Sequence, residues 1–170
     1  MRNDRAGTLR GPKIVSFSAL KSKIKRLKQD GKRIVFTNGC FDILHYGHVK
    51  YLQDARKKGD YLIVAVNSDS SVREIKTNNR PIVPQADRLR VVAALGCVDF
   101  VILFKENNPF NLIKAFKPDV LVKGSDWDRS KIVGADFVES YGGKVLTIKL
   151  LKGRSTSAII KKIILGSAKK

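Results

Sequence analysis

Short apolar runs alternate along the chain with longer segments whose apolar residues recur every three or four positions. Five of the runs, at 33–37, 61–66, 98–104, 120–122 and 144–148, are rich in β-branched residues and read as strands buried on both faces. The first ends in Asn38-Gly39 and the last follows Gly142-Gly143, both of which favour a turn. Helical periodicity starts with Leu20, Ile24 and Leu27 between Ser18 and Gly31. It recurs near 46–58, 69–76, 85–95, 108–116, 131–141 and 156–165. This alternation predicts a doubly wound, Rossmann-like α/β fold: an open parallel sheet of about five strands in a single domain. Folds of this kind bind ligands beyond the carboxyl ends of their strands. Functional residues are therefore expected at 38–48, 67–69, 105–107, 123–127 and 149–157, each segment following a strand.

Composition narrows the class. With 170 residues, 43% of them hydrophobic, the chain can bury one good core. It contains no apolar run of membrane-spanning length, and its basic N-terminus lacks the apolar block of a secretory signal. A cytoplasmic, soluble protein with no membrane partner is expected. Cys40 and Cys97 lie far apart without C-x-x-C spacing, which suggests neither a disulfide framework nor a thiolate zinc site.

A net charge of +19 raises the alternative of a basic nucleic-acid-binding module. The charge is unevenly placed. Residues 1–34 hold eleven Lys and Arg against Asp4 and Asp30, and residues 144–170 hold eight against no acid. The intervening stretch carries fifteen basic and thirteen acidic residues, unlike a surface that tracks a phosphodiester backbone. The expected organisation is a mobile basic tail over 1–13, one domain over 14–166 and a short tail over 167–170, with no nucleic-acid partner.

The first strand-to-helix junction, Thr37-Asn-Gly-Cys-Phe-Asp-Ile-Leu-His-Tyr-Gly-His48, holds the densest chemistry. A helix starting near Tyr46 would aim its free N–H groups at the strand ends, where an anion binds readily. Gly47 lets backbone approach a phosphate, and His45 and His48, three apart, can both donate to its oxygens. A zinc site built on the two histidines and Cys40 is an alternative, but no fourth ligand stands at typical spacing. Two hydrogen-bonded surface histidines are the other.

The pairing of Gly39-Cys-Phe-Asp42 with His45-x-Gly-His48 resembles the cytidylyltransferase-like nucleotidyltransferases. Later blocks are similar to the adenylyltransferases of ADP-heptose synthesis: Asn79-Arg-Pro-Ile-Val-Pro84, Leu121-Val-Lys-Gly-Ser-Asp-Trp127, Ile132-Val-Gly-Ala135 and Gly153-Arg-Ser-Thr-Ser157. Two positions depart from that pattern, Ser125 for a frequent glycine and Ser157 for a frequent threonine, and both stay small and polar. The resemblance implies transfer of AMP from ATP to D-glycero-β-D-manno-heptose 1-phosphate with release of pyrophosphate, in lipopolysaccharide precursor synthesis. Near relatives of that kind use glycerol 3-phosphate with CTP, or FMN with ATP.

A sugar phosphate is largely dianionic at neutral pH, so its attack on a triphosphate needs cations and donors rather than a base. The resemblance places His45, His48 and Lys76 in the catalytic role. It assigns the nucleotide to Cys40, Phe41, His45, Gly47, His48, Lys123, Gly124, Asp126, Ser155, Thr156 and Ser157, and the acceptor to Asp42, Asn67, Lys76, Arg80, Arg88 and Trp127. Asp42 and the Ser155–Ser157 run also suit helix capping. No metal site of the protein's own is expected; Mg²⁺ would arrive with ATP. A homo-oligomer is compatible with the sequence, and the sugar 1-phosphate is expected from a separate upstream kinase.

Overall fold

The computed structural model of the protein describes residues 12–76 and 79–167. Within them the elements run α1 (Phe17–Gln29), β1 (Ile34–Gly39), α2 (Tyr46–Arg56), β2 (Tyr61–Asn67), α3 (Asp69–Ile75), α4 (Gln85–Ala94), β3 (Phe100–Phe104), α5 (Phe110–Phe116), β4 (Val120–Gly124), α6 (Ala135–Ser140), β5 (Lys144–Ile148) and α7 (Thr156–Ser167). All five strands are parallel, in the order β3-β2-β1-β4-β5. The helix expected over 131–141 is shorter than its periodicity suggests. Gly134, in the left-handed region at φ 84, separates a single 3-10 turn at Arg129–Lys131 from α6. The tail expectations for 1–11 and 168–170 fall outside the described residues. Lys13, grouped with the N-terminal tail by its polarity, is bound to the sheet edge: its carbonyl accepts from Val101 N–H and its Nζ donates to the Leu95 carbonyl, both at 2.8 Å.

Alternate residues of each buried strand feed two separate cores. On one face Ile34, Phe36 and Ile63 pack against Leu20 and Ile24 of α1, Ile113 of α5 and Val138 of α6. On the other, Val35, Val64 and Val122 pack against Leu52 and Ala55 of α2 and Val92 of α4. Such two-sided cover is what near-continuous apolar strands require. Aspartates fix the strand starts: Asp60, Asp119 and Asp99 accept from the N–H groups of Arg33, Ile34 and Leu62, each at 2.7 Å. No helix among the described residues is long and apolar enough to cross a membrane.

Unequal strand pairing prepares the ligand site. β1 pairs with β2 from Ile34↔Tyr61 through Gly39↔Val66, but with β4 only at Val35↔Val120 and Phe36↔Leu121. Beyond Phe36 the two strands separate, at the point where the strand order reverses, and this opens a crevice at their carboxyl ends. The hydroxyl of Tyr51, from α2, fills the base of the gap. It donates to the Val122 carbonyl at 3.1 Å and, its single hydrogen being spent there, accepts from Thr37 Oγ1 at 2.7 Å. Burial also pushes the Tyr51 phenol far above its ordinary pKa, so it remains a donor.

Tyr51→Phe strands a buried hydroxyl and a buried carbonyl without changing the packing volume much. The expected cost is about 1–3 kcal/mol, read as a lower urea midpoint at unchanged m value. A midpoint equal to wild type would show that the gap is not held by this hydroxyl.

Candidate active site

Between β1 and α2 the chain makes two left-handed turns at residues with side chains, Phe41 at φ 49 and Ile43 at φ 45. Such conformations cost roughly 1–3 kcal/mol each and persist only where surroundings enforce them. The enforcing contacts converge on Asp42, which is 1% exposed. Its carboxylate accepts from Arg80 Nε at 2.6 Å, Ile82 N–H at 3.0 Å and Val83 N–H at 2.8 Å. Its carbonyl accepts from Thr156 Oγ1 at 2.6 Å. Burial opposes ionisation of Asp42, but the hydrogen bonds from Ile82, Val83 and Arg80 outweigh it and hold the carboxyl below the usual range. Asp42 is therefore a clasp between loops. The cap position of α2 is His45, and no side chain caps that helix.

Arg88 is a second clasp. Its three guanidinium nitrogens donate to the Val83 carbonyl, the Cys40 carbonyl and Asp69, at 2.9, 2.5 and 2.7 Å. At 1% exposure it sits beneath the loops and does not line the cleft, so the expected substrate contact is replaced by a structural one. Its partners at Cys40 and Asp69 lie far back along the chain, which hid this in the sequence.

The clasped loop delivers the two histidines as a stacked pair, ring centroids 3.9 Å apart and 21° from parallel. Phe41 meets the His48 ring edge-on. Gly47 is required by contact from two sides: a Cβ there would lie 2.9 Å from both the His45 ring and the Arg154 carbonyl. The Nδ1 atoms of His45 and His48 are enclosed and have no hydrogen-bond partner among the described residues. With Nδ1 unserved in the neutral ring, the proton is better placed on Nε2, as a donor for a ligand.

Around the pair lies a cleft of about 520 Å³ that divides naturally about β1. On the β4–β5 side stand Lys123, Gly124, Asp126, Trp127, Leu150 and Leu151; on the β2–β3 side stand Asn67, Lys76, Arg80, Asn107 and Asn108. Lys123 Nζ donates to Asn38 Oδ1 across the gap between β4 and β1 and lies 5.3 Å from the Trp127 ring centroid. At the start of α7, Ser155 Oγ caps the helix through Ala158 N–H, while Ser157 is exposed to the cleft. Thr156 spends its hydroxyl on Asp42. Every expected site residue except Arg88 lines this cleft. Tyr51 and Asn108 lie outside the segments expected from the sequence, and Asn38, Leu150, Leu151 and Arg154 lie within them without having been given a role, because their roles depend on which strands become neighbours.

The profile of the cytidylyltransferase-like family matches residues 36–163, a span that includes both clasps, the histidine pair and the start of α7. The chain belongs to that family. It is a nucleotidyltransferase domain. The bifunctional protein HldE of Geotalea uraniireducens (strain Rf4) is 52% identical over 92% of this chain, and that of Geobacter metallireducens (strain ATCC 53774 / DSM 7210 / GS-15) 51% over 89%. The chain spans only about a third of the length of these curated relatives. Among solved structures, the lipopolysaccharide core biosynthesis protein from Thermoplasma volcanium GSS1 is 32% identical with a TM-score of 0.60, over 72% of this chain and 98% of that one.

Burial tunes the titratable groups of this cytidylyltransferase-like cleft. Desolvation lowers the pKa of His45, and it lowers that of His48 to about 4, with the neighbouring His45 contributing. Burial likewise pushes Lys123 down to about 8, against the pull of Asp126, and raises the Cys40 thiol. Nucleotidyl transfer from a triphosphate generally uses a divalent metal. No group of three His, Cys, Asp or Glu side chains converges among the described residues, and Asp42 is already engaged, which leaves Asp126 as the unclaimed carboxylate of the cleft. That donor set fits an ion carried mainly by phosphate oxygens.

The depressed histidine pKa values have a measurable consequence. Between pH 6.5 and about 4 the unfolded chain binds protons that the folded ligand-free domain refuses, so stability is full above pH 6.5 and falls as pH drops through this window. His48 accounts for at most about 3 kcal/mol. Urea denaturation of the ligand-free domain at a series of pH values should show this loss, and His48→Asn should flatten it. An equal slope in the variant would place the titrating group elsewhere.

Proposed function

We propose that the domain transfers AMP from ATP to D-glycero-β-D-manno-heptose 1-phosphate, forming ADP-heptose and pyrophosphate. The observation that carries this reading is the division of the cleft, with the histidine pair at its centre. An aromatic and apolar half suits a nucleobase, and a half with two cations and several amides suits a phosphorylated polyol. The half identity with HldE proteins and the lipopolysaccharide core role of the Thermoplasma protein support an acceptor of this chemistry.

The attacking phosphate oxygen forms a bond to the α-phosphorus of ATP as the bond from that phosphorus to the β-bridging oxygen breaks, and pyrophosphate departs with the electron pair. The acceptor dianion needs no base. His45 and His48 donate to α-phosphate oxygens, where charge grows in the transition state, and the uncapped start of α2 adds its dipole. Lys76 and Arg80 neutralise the acceptor phosphate, Arg80 in an orientation fixed by Asp42. Lys123 and Trp127 hold the nucleoside, with Gly124 giving close approach. Ser155 and Ser157, with the start of α7, receive the β- and γ-phosphates. Mg²⁺ on the triphosphate, held on the protein side by Asp126, would supply further charge neutralisation. Thr156 acts through its bond to Asp42, and Cys40 and Phe41 shape the wall.

Pyrophosphate release should be measured with ATP or CTP against heptose 1-phosphate and glycerol 3-phosphate. Robust turnover is expected for ATP with the heptose. Turnover only with CTP and glycerol 3-phosphate would overturn the assignment. His45→Ala and His48→Ala should each lower kcat by about 100-fold or more in a folded protein, the scale of a lost transition-state donor. Full activity in either variant would remove that histidine from the mechanism.

A further inference from the structure

We infer that Asn67 is a specificity-determining residue of the acceptor half, whose side-chain oxygen accepts a hydrogen bond from a hydroxyl of the phosphorylated acceptor. This rests on the proposed transfer to a sugar phosphate and adds the group that reads the sugar. Asn67 ends β2, is 2% exposed and lines the cleft on the same side of β1 as Lys76 and Arg80.

The orientation of its amide is dictated by a relay. Ser71 Oγ, fully buried on α3, donates its only hydrogen to the Glu106 carbonyl at 2.9 Å. It can therefore only accept from Asn67, and the contact at 2.9 Å must come from the Asn67 NH₂ group. The amide oxygen is thus turned away from Ser71 and kept as an acceptor. A flip would set the amide oxygen against an oxygen that has no hydrogen left to give.

The relay ties three segments together: the end of β2, the first turn of α3 and the loop after β3. Ser68, the cap of α3, accepts from Ser71 N–H at 3.2 Å and holds the same turn. The oxygen is consequently preset before substrate arrives, which is the condition under which a polar contact discriminates strongly. Cations in this half attract any phosphate, whereas a fixed neutral acceptor responds only to a donor. The class selected is a phosphate ester or anhydride acceptor bearing a free hydroxyl within reach of that phosphate.

The test compares hydroxylated and deoxygenated acceptors in wild type and Asn67→Ala, with heptose 1-phosphate against its 2-deoxy analogue and glycerol 3-phosphate against 3-hydroxypropyl phosphate. For the pair that wild type turns over, kcat/KM should favour the hydroxylated member by about 10- to 100-fold. Asn67→Ala should erase that preference, chiefly through the hydroxylated acceptor, and leave the KM for ATP unchanged. A global loss of structure would lower both acceptors together and so would not imitate the result. Retention of the preference in Asn67→Ala overturns the inference. Failure of heptose 1-phosphate with success of glycerol 3-phosphate overturns the proposed acceptor instead, and Asn67 is then judged on the second pair.

Discussion

Two imidazole rings stacked 3.9 Å apart, each with an enclosed Nδ1 that finds no partner among the described residues, form an arrangement that costs free energy. Burial and mutual repulsion both favour the neutral rings, as the depressed His48 pKa of about 4 reflects. The proposed triphosphate would reverse the balance by supplying negative charge and acceptors for the Nε2–H groups. The neighbouring structure can be understood as what keeps this pair in place. Gly47 admits the His45 ring, Phe41 braces His48, and the Arg154 carbonyl closes over the turn.

The pair would not hold its geometry without the clasps. Phe41 and Ile43 occupy left-handed backbone that isolated residues avoid, and they are kept there by hydrogen bonds to Asp42 and to the Cys40 carbonyl. The bonds to the Asp42 carboxylate come from the segment between α3 and α4, the bond to the Cys40 carbonyl from Arg88 in the first turn of α4, and the Thr156 bond from the start of α7. Three segments from distant parts of the chain are thereby joined at one buried residue, Asp42, through its carboxylate and its carbonyl. The splayed β1–β4 pairing, with Tyr51 at its base, supplies the space above which they meet.

Much of this was legible in the sequence because it is local. β-Branched runs mark strands, and the His45-x-Gly-His48 spacing needs only one helix start to bring its members together. Rossmann-like topology followed from the alternation, and the strand order confirms it. Arg88 and Asp42 were harder, because a charged residue near a phosphate site looks like a ligand contact until its partners are seen. Both instead satisfy backbone groups of distant loops, 40 residues away for Asp42 and 48 for Arg88. The Asn38 to Lys123 contact and the Asn67 relay were hidden for the same reason: each joins elements whose proximity is set by the sheet and not by the chain. The break at Gly134 shows the converse, where helical periodicity ran back through a residue whose left-handed backbone lets the α-helix begin only at Ala135.

The histidine pair as a phosphate grip is tested most directly by following the ring ¹⁵N resonances of His45 and His48 through pH, without ligand and with a non-hydrolysable ATP analogue. Without ligand His48 should titrate near pH 4, and binding should raise the pKa of both rings. Histidines that titrate near 6.5 and do not respond to the bound analogue would contradict the account.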